Sequence, residues 1–363
     1  MDYFYSFTKI PFAAWLIIFG ISSGLLAVIT VSRRLKGNPV KATIAATEIP
    51  RARHLLIKTL KLIGFSIFSL GLITITLMLV LNYQQTIEET LPTPSQVEIP
   101  ADLPFEVEEI SFLSSDGLRM SGWFVPPHNG ATIILLHGYG ANRLQMRWHA
   151  EKLVEAGYGV LMYDERASGE SEGNYRSYGW EDERDITGAI DFLNARAELD
   201  STKIGIGGCS IGAQIALQGA AYHPEIGAVW ADGASLIRAQ DNVPSNNPLL
   251  WLITAGNYMI DWQYVRRLKI EPPAPMIEII DEIAPRPIML VAGGLARPLV
   301  GSESRFAYHF AKYAGDNAEV WVIKEAFHCD GPGKRPEEYA ARMVGFFDAA
   351  FGVSSSEFPE SSQ

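Results

Sequence analysis

Six short runs, ATIILLHG, YGVLMYDE, KIGIGGCS, IGAVWADG, RPIMLVAGG and EVWVIKEAFH, are apolar at nearly every position. A strand with one wet face alternates; a strand apolar on both faces must be covered on both sides, which is the condition of a parallel sheet flanked by helices. Helix-compatible stretches separate the runs at 142–156, 180–197, 211–222, 303–314 and 337–351. The alternation predicts an α/β body with a mostly parallel sheet and helices on both faces. Ahead of it, 105–127 alternates apolar and polar residues around Ser115-Asp116-Gly117, the pattern of an antiparallel hairpin. The interval 234–283 breaks the rhythm, with Trp251, Tyr258, Trp262 and Tyr264 among five prolines. It is placed either to form a lid over the carboxyl edge of the sheet or to serve as a connection padded by surface helices.

The first 82 residues are of another kind. The segments 11–31 and 62–81 contain no charged side chain, and about 20 apolar residues suffice for a helix to cross the hydrocarbon core. Two transmembrane helices are therefore expected. A cleavable signal peptide fits less well, because the first run exceeds the usual apolar length of about 7–15 residues and no A-x-A site follows. Residues 1–82 hold nine Lys/Arg against Asp2 and Glu48, a net of +7, whereas the remainder holds 21 against 39, a net of −18. Basic residues near spans are retained in the cytoplasm. The connector, with Arg33, Arg34, Lys36, Lys41, Arg51, Arg53, Lys58 and Lys61, is thus expected inside and the acidic body outside. Residues 83–104, rich in Pro, Thr, Gln and Glu, predict an extended spacer. The α/β body then occupies 105–351, and 352–363 reads as a disordered tail.

Gly208-Cys209-Ser210-Ile211-Gly212 follows a strand-like run and precedes a helix-forming one. A serine on so sharp a strand-to-helix turn needs small neighbours on both sides, because the backbone doubles back and pushes the hydroxyl outward. Together with His137-Gly138-Tyr139-Gly140, the run from Asp164 to Ser171, and Phe327-His328 after the last strand, this elbow resembles the α/β-hydrolase superfamily in its esterase-like and peptidase-like bacterial branches. The resemblance runs from about residue 106 to residue 351. It implies Ser210 as nucleophile, His328 as general base, and an oxyanion hole made by the backbone N–H groups of Tyr139 and Ile211. His137, Asp164 and Arg166 would brace the loops around the site.

The orienting acid departs from the common pattern. Where many relatives carry aspartate after the strand ending near Gly294, this chain has Arg297, which cannot accept the imidazolium hydrogen bond. Glu303 is the first choice, since it resembles a branch with a glutamate soon after this strand; Asp232, at the end of WADG, is the second. Cys209 and Cys329 flank the nucleophile and the base, so they would be neighbours in space. Proximity does not establish bonding geometry, and the expectation is two free, buried thiols.

No metal or dinucleotide motif is present in the sequence, so cofactor-free chemistry is expected. The acidic body argues against nucleic acid as a partner. The expected activity is that of a membrane-anchored serine hydrolase acting on a small-molecule, lipid or peptide acyl substrate, with the bilayer as its other partner. The competing reading, motivated by Arg297, is a catalytically degenerate hydrolase fold that binds or scaffolds in the membrane.

Overall fold

The computed structural model describes residues 49–296 and 301–353. The first predicted span at 11–31, most of the basic connector, Arg297, and the tail from 354 lie outside the described residues. The chain divides into two compact units, 1–84 and 85–363.

In the first unit the described chain is one helix. Helix α1 (Ile49–Thr90) runs for 42 residues and contains the second predicted span. From His54 onward it is long and apolar enough to cross a membrane; among the described residues there is one such helix where the sequence predicts two. Leu56, Phe65, Ile67, Phe68 and Leu72 are exposed, so no protein core accounts for their apolarity. The hydroxyls of Thr74 and Thr76 donate to the carbonyls of Leu70 and Leu72 at 2.9 Å. This is how a helix satisfies polar side chains where water is absent.

The second unit is built on an eight-stranded sheet. In chain order its strands are β1 (Glu108–Leu113), β2 (Arg119–Val125), β3 (Thr132–Leu136), β4 (Gly159–Tyr163), β5 (Ile204–Cys209), β6 (Ile226–Asp232), β7 (Ile288–Gly293) and β8 (Ala318–Ile323). Across the sheet the order is β1-β2-β4-β3-β5-β6-β7-β8. The pairs β1–β2 and β2–β4 are antiparallel, and β3 through β8 with β4 are parallel. The predicted hairpin is β1–β2, with Gly117 at φ +87° in its turn.

The sheet is covered on both faces, as the runs of apolar residues require. Along β3, Ile134 and Leu136 face one core and Ile133 and Leu135 the other. Helices α3 (Glu183–Asn194), α4 (Ile211–Tyr222) and α6 (Ser304–Ala314) close the first face. Helices α2 (Arg147–Glu155) and α7 (Pro336–Phe351) close the second. The interval 234–283 is an insertion between β6 and β7, and its main element is α5 (Pro248–Leu268). Asn247 caps α5 through its side-chain oxygen, which accepts from the Leu249 N–H. Tyr264 of α5 packs against Trp180 at 5.2 Å between ring centroids, while Trp251, Tyr258 and Trp262 stand exposed.

Residues 83–104 differ from the expected spacer. The helix persists to Thr90, Thr93–Pro94 pairs in parallel with Ser168–Gly169, and Val97 is buried. The cause is long-range polar pairing that composition does not reveal. Arg176, itself buried, donates to the carbonyls of Leu91 and Glu88 at 2.6 and 2.9 Å. The Glu89 carboxylate accepts from the Tyr264 hydroxyl at 2.5 Å, and Arg267 donates to the Thr90 hydroxyl at 2.9 Å.

Beneath this segment lies a buried ion cluster. Arg143, 2% exposed, reaches the Asp164 carboxylate at 2.9 Å and also pairs with Glu170. Asp164 accepts in addition from the backbone N–H groups of Arg143 and Glu170 at 2.8 and 2.9 Å. Removing one member of such a cluster leaves a buried charge uncompensated. Arg143→Ala should therefore lower unfolding stability by about 3–5 kcal/mol in a denaturant titration; a loss near that of an exposed ion pair would show the cluster to be hydrated.

Candidate active site

The elbow forms where β5 ends and α4 begins. Ser210 sits at φ +60°, a conformation rare for a residue with a side chain. Its neighbours explain how it is held: a Cβ on Gly208 would lie 2.4 Å from the Gly212 backbone, and one on Gly212 would lie 2.5 Å from the Leu136 carbonyl. Any other residue at either site would push α4 off the sheet. The Ser210 N–H is fixed by the Asp232 carbonyl at 2.8 Å.

The structure brings three of the singled-out side chains into one chain of hydrogen bonds. Ser210 Oγ lies 2.7 Å from His328 Nε2, and His328 Nδ1 lies 2.6 Å from Glu303 Oε2. With Nδ1–H donating to the carboxylate, Nε2 is left to accept the serine proton. The second Glu303 oxygen accepts from the Gly293 N–H at 2.6 Å, tying the carboxylate to the end of β7. Glu303 stands at the N-cap of α6 but makes no capping bond; its side chain is turned away from the helix toward the histidine.

Asp232, the alternative acid, is elsewhere engaged. It is buried, and it accepts from the Tyr339 hydroxyl at 2.9 Å, which in turn accepts from Trp230 Nε1 at 2.8 Å. Burial pushes its pKa from 3.8 up to about 7, against the opposing pull of the Tyr339 hydrogen bond. The Tyr339 contact spans 107 residues, and no local sequence signal announces it.

The loop after β3 lies against the elbow. His137 is buried; its Nδ1 bonds the Gly138 carbonyl at 2.9 Å and its Nε2 accepts from the Glu165 N–H at 3.0 Å. Burial drives its pKa down to about 4, so the ring is neutral and donates through one nitrogen while accepting through the other. Gln145 accepts from the Gly138 N–H at 2.5 Å. The Tyr139 side chain is held by its hydroxyl, which donates to the Glu88 carbonyl at 2.9 Å and accepts from Arg176 at 3.0 Å. Ile211 opens α4, so its N–H belongs to the first turn, which has no acceptor within the helix. Arg166 pairs with buried Asp185 at 2.6 Å and with Asp116 at 3.1 Å.

One expectation is corrected here. Cys209 and Cys329 are joined in a disulfide, with Cα atoms 6.1 Å apart, rather than being free thiols. The bond closes a loop spanning 120 residues, for which the chain-entropy account gives stabilisation of about 4–5 kcal/mol. The sequence cue was present, since the cysteines are adjacent to residues that must meet, but their mutual distance depends on the fold.

The strand order, the elbow and the Ser210–His328–Glu303 chain define an enzyme of serine-hydrolase type on the α/β-hydrolase fold, a hydrolase of the esterase or peptidase kind. Residues 116–256 match the family described as X-Pro dipeptidyl-peptidase (S15 family). An esterase of Pyrococcus furiosus is 26% identical, with a TM-score of 0.55 over 71% of this chain and all of that one. The Escherichia coli K12 protein YfhR is 26% identical over 256 residues, covering 68% of this chain and 82% of its own length. The thiohydrolase aneE of Aspergillus aculeatus is 30% identical over 122 residues, 32% of this chain and 38% of that one.

The raised pKa of Asp232 fixes a sign for stability. The folded protein holds this proton more tightly than the unfolded chain, so the contribution is fully present below about pH 4 and is lost as pH rises through about 7. Asp232→Asn removes the ionisation. Its stability relative to the unmodified protein should climb between about pH 4 and pH 7 in urea titrations; a pH-independent difference would show that Asp232 ionises normally.

Proposed function

We propose that this chain is a membrane-anchored serine hydrolase that cleaves an ester, thioester or amide through an acyl-serine intermediate. The observation that carries the reading is the unbroken chain Ser210 Oγ, His328, Glu303, at 2.7 and 2.6 Å. Ser210 attacks the acyl carbon as His328 Nε2 takes its proton. The imidazolium so formed is stabilised through Nδ1–H by Glu303. Charge on the tetrahedral oxygen falls to the N–H groups of Tyr139 and Ile211. His328 then returns the proton to the leaving group, and water, activated by the same histidine, releases the acyl group.

The esterase likeness and the thiohydrolase relative favour esters and thioesters; the S15 match keeps amides within the class. The alternative of a degenerate scaffold rests on Arg297, and a Glu303 carboxylate at 2.6 Å from His328 favours the catalytic reading over it.

The anchor is α1, preceded by the span expected at 11–31. The basic connector supports a hydrolase unit outside the cytoplasm. The Cys209–Cys329 disulfide supports the same side, since such bonds persist in oxidising compartments.

Three experiments test this reading. Ser210→Ala should abolish labelling by a fluorophosphonate probe, and persistent labelling would refute the nucleophile. Glu303→Gln should lower kcat by about 100-fold or more while Asp232→Asn stays within about tenfold; the reverse ranking would move the acid to Asp232. For topology, protease added to intact cells should degrade the hydrolase unit, and full protection would place that unit in the cytoplasm.

A further inference from the structure

The base is carried on an exposed loop. His328 lies between β8 and α7, and Phe327, Lys324 and Glu325 beside it are exposed. The loop's own backbone bonds are local or reach only the neighbouring turn: Ala326 N–H to the Ile323 carbonyl at 3.1 Å, Asp330 N–H to the Phe327 carbonyl at 3.3 Å, and Leu295 N–H to the Ala326 carbonyl at 3.1 Å. None of these ties the loop to the elbow. The disulfide does. Cys209 is the last residue of β5, one before Ser210, and Cys329 is one after His328. Two residues that must hold a 2.7 Å contact are thus flanked by a covalent bond between their immediate neighbours. Cys329 itself stands at φ +53°, in the left-handed region, where a side chain is held only by its surroundings.

We propose that Cys209 and Cys329 are positioning residues, whose disulfide clamps the general base onto the nucleophile and makes hydrolysis depend on an oxidising environment. The inference rests on the serine-hydrolase reading and adds a control to that site. Misplacing a reacting group by about 1 Å can cost on the order of 100-fold in rate, so a loop freed by reduction costs turnover before it costs folding. Access is asymmetric: Cys209 is 5% exposed, whereas Cys329 is only partly buried. A dithiol therefore attacks the Cys329 sulfur. One thiolate forms the mixed disulfide with Cys329 and expels Cys209 as thiolate. The reductant's second thiol then closes on its own sulfur, releasing Cys329. Two electrons and two protons pass to the protein, and the reductant leaves as its cyclic disulfide.

The test uses the full chain in detergent, prepared without reductant, assayed at 25 °C with p-nitrophenyl acetate and with a fluorophosphonate probe. Dithiothreitol treatment, with reduction verified as two alkylated thiols by mass, should lower kcat and probe-labelling rate by about tenfold or more with KM little changed. Reoxidation should restore both. The double variant Cys209→Ala/Cys329→Ala should start at the reduced level and ignore dithiothreitol. Near-UV circular dichroism of the reduced protein should stay native at the assay temperature. The clamp is overturned if the untreated protein already shows two alkylatable thiols. It is equally overturned if fully reduced protein keeps its kcat, or if activity falls only where the dichroism reports unfolding. Failure of the oxidised protein to label at Ser210 is a separate result: it brings down the hydrolase reading, and the clamp with it.

Discussion

The site depends on one backbone constraint, the reversal at Ser210. A residue with a side chain at φ +60° costs about 1–3 kcal/mol and persists only when its surroundings over-determine it. Three things do so here. The strand before it is paired on both sides, by β3 and β6. The helix after it is buried along nearly its whole length. Gly208 and Gly212 let the helix backbone approach the end of β3 more closely than any side chain would permit. The same approach that strains the serine also brings the loop after β3, with Tyr139, beside the first turn of α4. Ser210 and the proposed oxyanion donors are thus brought together by a single close contact between backbones.

Around that point two carboxyl groups have been given opposite environments. Glu303 is partly exposed, with 18% of its side chain open to solvent, and is held by a backbone N–H and an imidazole. Both face its carboxylate oxygens at 2.6 Å. Asp232 is buried, its side-chain bond comes from a neutral phenol, and its pKa rises toward 7. A group that answers a nearby imidazolium should be ionised beforehand, with little reorganisation when the charge appears. Burial has favoured the neutral form of Asp232, whereas Glu303 offers the imidazole a carboxylate oxygen at 2.6 Å. The bracing residues follow the same logic on a larger scale: Arg143 and Arg166 are each buried against carboxylates and fix loops by geometry.

Much of this was legible in the chain. The six apolar runs correspond to the strands β3 to β8, and α4 occupies 211–222 as expected, because a strand buried on both faces has no alternating pattern to confuse with anything else. Ser210 could be picked out because a sharp strand-to-helix turn demands small neighbours, and His328 because the resemblance to the α/β-hydrolase superfamily implies a base after the last strand. Sequence order alone does not separate Glu303 from Asp232, since both lie between the serine and the histidine; Glu303 is preferred in the sequence only through its resemblance to a branch with a glutamate soon after this strand. Only the path of the loop after β7 brings one within 2.6 Å of the imidazole. The spacer was misread for a related reason: Val97 and the carbonyls of Glu88 and Leu91 are fixed by Arg143 and Arg176, partners far along the chain. The disulfide likewise joins residues whose Cα separation is a product of the whole sheet.

The disulfide also links chemistry to location. Charge bias in the connector and thiol oxidation are governed by unrelated physics, one by retention of cations at the cytoplasmic face and the other by the redox poise of the compartment. Both support the proposed topology, with the hydrolase unit outside the cytoplasm. An enzyme whose base is clamped only after oxidation would be poorly assembled while its chain is still in a reducing cytoplasm, and would gain its geometry on arrival. On the proposed topology, the net charges of +7 before residue 83 and −18 after it would describe one device: the basic part would fix the orientation of the chain, and that orientation would supply the environment in which the site closes.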